Sequence, residues 1–140
     1  MGYTRGMTRP LLQLGGFFRQ RGDWAKALPY YKKALRLSHE IGDQEGMAFA
    51  HVDVARALYA TTANFDEAAK HLSRALDIAN ETGFILSKCR TLQVMATLYA
   101  QAGQGSAAVL SLQRVLEVAH PAGYRVFVEG AKRQLALLTE

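Results

Sequence analysis

The chain is poor in residues that staple, break or anchor a fold. Among 140 residues it has one cysteine, three prolines and one tryptophan. A lone cysteine excludes an intramolecular disulfide framework and a cysteine-based zinc site, and it fits a reducing compartment. No apolar run approaches the roughly 20 residues of a membrane span. Arg19 and Arg21 follow Leu11-Leu12 too soon for a signal-peptide core, and Gly6 stands where the myristoylation pattern needs Ser or Thr. A cytoplasmic protein with no membrane partner is the expectation. No segment alternates apolar and polar residues at period two, so no strand is expected. What remains is ordinary globular usage, 49% hydrophobic and 21% charged, at a length that suits one domain.

Charge is uneven. The formal net charge is +5, yet residues 1–36 hold eight of the 17 Lys and Arg and a single acid, Asp23. A basic end suits an acidic partner, protein or nucleic acid, and it also suits a merely solvated helix surface.

Repetition is the strongest signal. "LRLSHEIG" (35–42), "LDIANETG" (76–83) and "LEVAHPAG" (116–123) share Leu first, an aliphatic third and Gly last. Their glycines, Gly42, Gly83 and Gly123, lie 41 and 40 residues apart. Upstream, Gly15, Phe18, Ala27, Tyr31 and Ala34 share their spacing with Ala96, Tyr99, Ala108, Leu112 and Val115. Ala55, Leu58, Ala68, Leu72 and Ala75 match with one extra residue in the turn "TTANF". Small residues at fixed places let two helices approach, and the large residue between them fills the gap.

Each unit reads as two helices, because apolar residues recur at three- and four-residue steps. The pattern predicts helices at 8–21, 23–41, 44–62, 64–82, 84–102, 105–120 and 124–139. Asp23 suits a helix N-cap, Asn64 and Gly103 punctuate the corresponding turns, and the three repeated glycines suit left-handed C-caps. His39 and His120 fall in last turns, where partial positive charge is favourable.

These residues resemble the tetratricopeptide repeat. The order small–aromatic–small–large–small is its signature, and "LGGFFRQRGDWAKALPYYKKAL" (14–35) is the nearest match. Gly105 stands where the family usually has an aromatic. The spacing near 40 departs from the usual 34 residues. It is similar to the long-helix variants in bacterial regulators of the maltose-activator type and in some scaffold proteins. The resemblance implies an all-α, right-handed α-solenoid of about three helix hairpins plus a C-terminal capping helix. The expected layout is a flexible segment 1–7 and a single domain 8–140, with units 8–42, 43–83 and 84–123 and a final helix 124–139. That helix holds Val126, Phe127, Val128, Ala131, Leu135 and Leu138, and one face should pack on the third unit. Its outer face is only partly polar, so either the chain is a piece of a longer array or this end is buried in self-association.

Catalysis needs a nucleophile, a base and an orienting group within reach. No histidine pairs with another His or Cys at a metal-ligand spacing, so no metal is expected. Cys89 reads as a buried thiol. Asp66 and Glu67 are adjacent and point apart on a helix. "GQG" at 103–105 lacks the phosphate-loop pattern. No enzyme and no cofactor is expected.

In the tetratricopeptide repeat the first helix of each pair lines a concave groove. Carried over, that geometry gives a partner-binding set: Arg9, Gln13, Arg19 and Gln20; Phe49, Asp53, Arg56 and Tyr59; Arg90, Gln93 and Gln101; and Arg133 on the last helix. Arginine forks bind carboxylates bidentately, amides can bond a peptide backbone and the two aromatics can anchor side chains. The expected partner is a protein or peptide with acidic residues, bound by a scaffold or adaptor. The family's clamp for a C-terminal carboxylate is rejected. Leu12 and Gly16 occupy its first-unit places, Asp53 replaces an Asn, Val94 replaces an Arg, and only Arg90 fits. Two alternatives stand beside this reading. One is the sensor or oligomerisation part of a bacterial transcriptional or signalling regulator, with a homo-oligomer formed through terminal helices. The other is nucleic-acid binding through the basic first third. No nucleic-acid recognition motif accompanies that charge, and Trp24, Tyr30 and Tyr31 fall at packing positions.

Overall fold

The computed structural model describes residues 8–139, so the segment 1–7 lies outside them. Within them are seven α-helices and no strand: α1 Thr8–Gln20, α2 Trp24–Ile41, α3 Gln44–Thr62, α4 Phe65–Thr82, α5 Ile85–Gln101, α6 Gly105–Ala122 and α7 Arg125–Leu138. Helix ends follow local chemistry. The Asp23 carboxylate accepts from Lys26 N at 3.1 Å, Asp43 from Gly46 N at 3.0 Å and Asn64 from Glu67 N at 3.1 Å. Each satisfies one of the orphan N–H groups of a first turn. Gly42, Gly83 and Gly123 close α2, α4 and α6 at φ 71, 75 and 78°, the left-handed conformation that glycine reaches without a Cβ penalty. The extra residue of "TTANF" falls in a turn that places Ala63 at φ 56°.

The expected helix bounds differ from the observed ones by one or two residues. The largest difference is at α6, which runs past Pro121 to Ala122 rather than stopping at 120. Proline there forfeits one N–H, and the end still closes because Gly123 N–H returns to the carbonyls of Ala119 and His120.

Consecutive helices pack on one another throughout the array, and α1, α3, α5 and α7 also touch in sequence. The first helices of successive hairpins therefore form one continuous wall, with α2, α4 and α6 behind it. This is an all-α solenoid. The repeated positions are its core: Ala27, Tyr31, Ala34, Ala55, Leu58, Ala68, Leu72, Ala75, Ala96, Ala108, Leu112 and Val115 are all buried. Gly15 shows why a small residue is needed, because a Cβ there would overlap the Tyr31 ring.

Helix α7 is covered less than expected. Phe127, Val128, Ala131 and Leu135 pack with the core of the third hairpin. Val126 is 82% exposed and Leu138 is also exposed. Val126 lies two residues, about 200°, from Val128 and so faces away from α6. Leu138 sits at the end of the helix, in its last turn.

Candidate functional site

Among the described residues, the depressions along the wall of first helices include two that adjoin at Arg90. The first, 570 Å³, is lined by Arg9, Leu12, Gln13, Gly16, Phe17, Arg19 and Gln20 of α1, Tyr31 behind them, Phe49 and Asp53 of α3, and Arg90 of α5. The second, 320 Å³, is lined by Trp24, Arg56, Tyr59, Ala60, Arg90, Gln93, Val94, Thr97, Leu98, Gln101 and Gln134. Arg90 belongs to both. Of the residues expected to face a partner, Arg133 alone lines neither; it is exposed on α7.

The seam between the depressions is electrostatic. The Arg90 guanidinium donates to the Asp53 carboxylate at 2.6 Å, and these side chains are 26% and 8% exposed. The same guanidinium lies over the Phe49 ring, 5.3 Å from its centroid. Arg56 lies over the Trp24 ring at 5.7 Å. Burial pushes the Asp53 carboxyl up, against the pull of Arg90, Arg56 and Arg19. Burial pushes Arg56 down, and the nearby Arg19 charge adds to it. An arginine keeps its proton even so. Burial, then the Asp53 charge, raises the Tyr31 phenol. Among the described residues Arg19 Nε is buried and has no hydrogen-bond partner. Three guanidiniums thus surround one carboxylate, and that carboxylate is committed to Arg90.

This arrangement corrects two expectations. Asp53 is not a surface contact; it is a buried counter-ion. Arg90 is not a free fork, because one acid and one aromatic ring already hold it. Phe49 is likewise under Arg90, and Tyr59 is half-buried with its ring edge-on to Phe65 at 6.2 Å. Arg9, Gln13, Gln20 and Gln101 are exposed, and Arg19, Arg56 and Gln93 are half-buried.

A family model for the tetratricopeptide repeat matches residues 7–81, more than half of the chain. The chain belongs to the tetratricopeptide repeat family. No curated protein matches it. Beyond the matched residues, α5, α6 and α7 continue the helix-hairpin pattern of the tetratricopeptide repeat.

Sequence reasoning missed two things about this repeat protein. Trp24 was assigned to packing, and it does pack beside Ala27 and Tyr31, but its ring also lines the second depression beneath Arg56. The repeat accounts for His39 and His120 and gives His51 and His71 no role. In the fold His51 Nδ1 and His71 Nδ1 are 2.9 Å apart, and the His39 ring stands edge-on to His51 at 6.0 Å. They come from α2, α3 and α4, at spacings of 12 and 20 residues that no ligand motif contains. Among the described residues no group of three or more His, Cys, Asp or Glu is placed to hold a metal ion. Cys89 is fully buried, and burial raises its thiol.

Proposed function

We propose that the chain is a non-enzymatic scaffold or adaptor that binds an acidic peptide or helix along the wall of α1, α3 and α5. The tetratricopeptide repeat mediates protein–protein interaction. The observation that carries the finer reading is the unbalanced charge at the seam. Asp53 neutralises Arg90 and leaves Arg19 and Arg56 without an acid of their own. A partner carboxylate in the depressions meets the half-buried Arg19 and Arg56 guanidiniums and offsets the Arg19 charge that, after burial, adds to the lowering of Arg56. Gln13, Gln20, Gln93 and Gln101 flank the two arginines and can bond an extended backbone.

The test is binding of acidic and charge-neutral peptides, followed by anisotropy at low and raised salt. Arg19→Glu with Arg56→Glu is expected to weaken the acidic peptides by about ten-fold or more with helicity retained, and to lower melting somewhat because both charges also bear on Asp53. Unchanged affinity sinks the groove assignment. Sequence-blind retention of nucleic acid with a steep salt slope would move the assignment to phosphate binding through α1 and α2.

A second reading has its own observation. Val126 and Leu137 of α7 are 82% and 71% exposed, which favours self-association through this end, as in a regulator's oligomerisation part. It predicts a concentration-dependent dimer in light scattering, lost on Leu137→Asp.

A further inference from the structure

The histidine cluster lies behind the wall, where α3 packs against α2 and α4. Two neutral imidazoles make an Nδ1–Nδ1 bond in one way: one ring carries the hydrogen and the other accepts it. At 2.9 Å, two protonated rings would point hydrogens at each other and the bond would be lost. A single added proton keeps the bond but leaves a cation in a place built against it. His51 is buried, and its Nε2 has no partner among the described residues, so an N–H there meets no acceptor. The charges that bear on the pair come from both flanking helices. From α2 these are Lys32 and His39; from α4 they are Arg74 and Glu67. Glu67 is the one acid in that set. Helix α5 also packs on α3, and its Arg90 is held by Asp53.

We propose that the His51–His71 contact, with the His39 ring beside it, is an acid-sensitive latch that holds α3 to α4 and α2 while the rings are neutral. Acidification charges the rings in any conformation that frees them, and the latch opens locally before the rest of the array. The titration directions agree with this placement. Burial, then the His71 and His39 charges, pushes His51 down to about 4, and burial also lowers His71. A ring that is free when open and depressed when closed makes opening more frequent as pH falls from the ordinary histidine range.

Hydrogen exchange of the whole chain at pH 7 and pH 5, corrected for intrinsic rates, tests the latch. The opening population of amides in α2, α3 and α4 is expected to rise about twenty-fold, as one ring shifted from 6.5 to about 4 implies, with a much smaller rise in α5 to α7. His51→Leu with His71→Leu is expected to abolish the difference. Should that variant not fold, proton NMR of the native histidines decides, with both rings expected to stay neutral to well below their ordinary range. Rings that titrate near 6.5, or a rise spread evenly over all seven helices, would overturn the proposal.

Discussion

Helix α3 carries two buried polar contacts on opposite sides. His51 and Asp53 are two residues apart, about 200° around the helix. Asp53 turns toward the wall and meets Arg90; His51 turns to the rear and meets His71. One contact is an ion pair and the other joins two imidazoles. The reason is the company each keeps. Three guanidiniums bear on Asp53 and pull against the burial that raises its carboxyl. His51 has other imidazoles and Arg74 around it, so burial and like charge both work against its proton. Burial works against the charged form of both groups; the sign of the neighbours decides whether that push is opposed, as at Asp53, or reinforced, as at His51.

The largest expected effect comes from removing one partner of the charged contact. Arg90→Met leaves Asp53 buried with only the more distant Arg19 and Arg56 and should cost about 3 kcal/mol in urea unfolding. His71→Leu breaks the neutral contact and should cost about 1 kcal/mol or less, because no charge is stranded. Equal costs for the two would break the comparison.

The next effect is on pH dependence. A histidine whose folded pKa lies below its unfolded value stabilises the fold fully above about 6.5, and that contribution fades as pH falls toward the folded value. With His51 pushed down to about 4, the stability of the α2–α4 region should drop by about 2 kcal/mol between pH 7 and pH 5. Asp53 has the opposite sign, because its folded value is raised. Its protonation as pH falls favours folding. A loss of stability between pH 7 and pH 5 that persists in His51→Leu/His71→Leu would assign it to other groups.

The smallest effect sharpens the comparison on the groove side. Asp53→Asn keeps the shape, removes the one acid of the seam and releases Arg90. Acidic peptides should bind about three- to five-fold tighter at low salt, with the gain screened at high salt.

Much of the fold was legible because it is local. Asp23 and Asn64 cap with their own side chains, and the glycines at 42, 83 and 123 take the one conformation that needs them. The small and large core positions recur at fixed spacing. The site was legible only as a surface. The repeat register put Arg19, Arg56 and Arg90 on one wall, but pairing is decided by side chains 37 residues apart. Nothing in the spacing says that Arg90 reaches Asp53 while Arg56 lies over Trp24. The histidine cluster was invisible for the same reason, since it joins three helices through rotamers rather than through periodicity. Helix α7 was legible as a helix packed by one face, but not which of its apolar residues that face takes. Val126, Phe127 and Val128 are consecutive, and three consecutive residues cannot share one face.

Trp24 is the chain's one tryptophan and lines the second depression under Arg56, so its fluorescence reports on the groove directly. Titration with an acidic helical peptide, for the native chain and for Arg19→Glu/Arg56→Glu, is the most direct measurement. A saturable change in Trp24 emission that weakens with salt and disappears in the double variant is the predicted result. Tight binding that leaves Trp24 unchanged, or survives both charge reversals, would contradict a partner seated on these arginines.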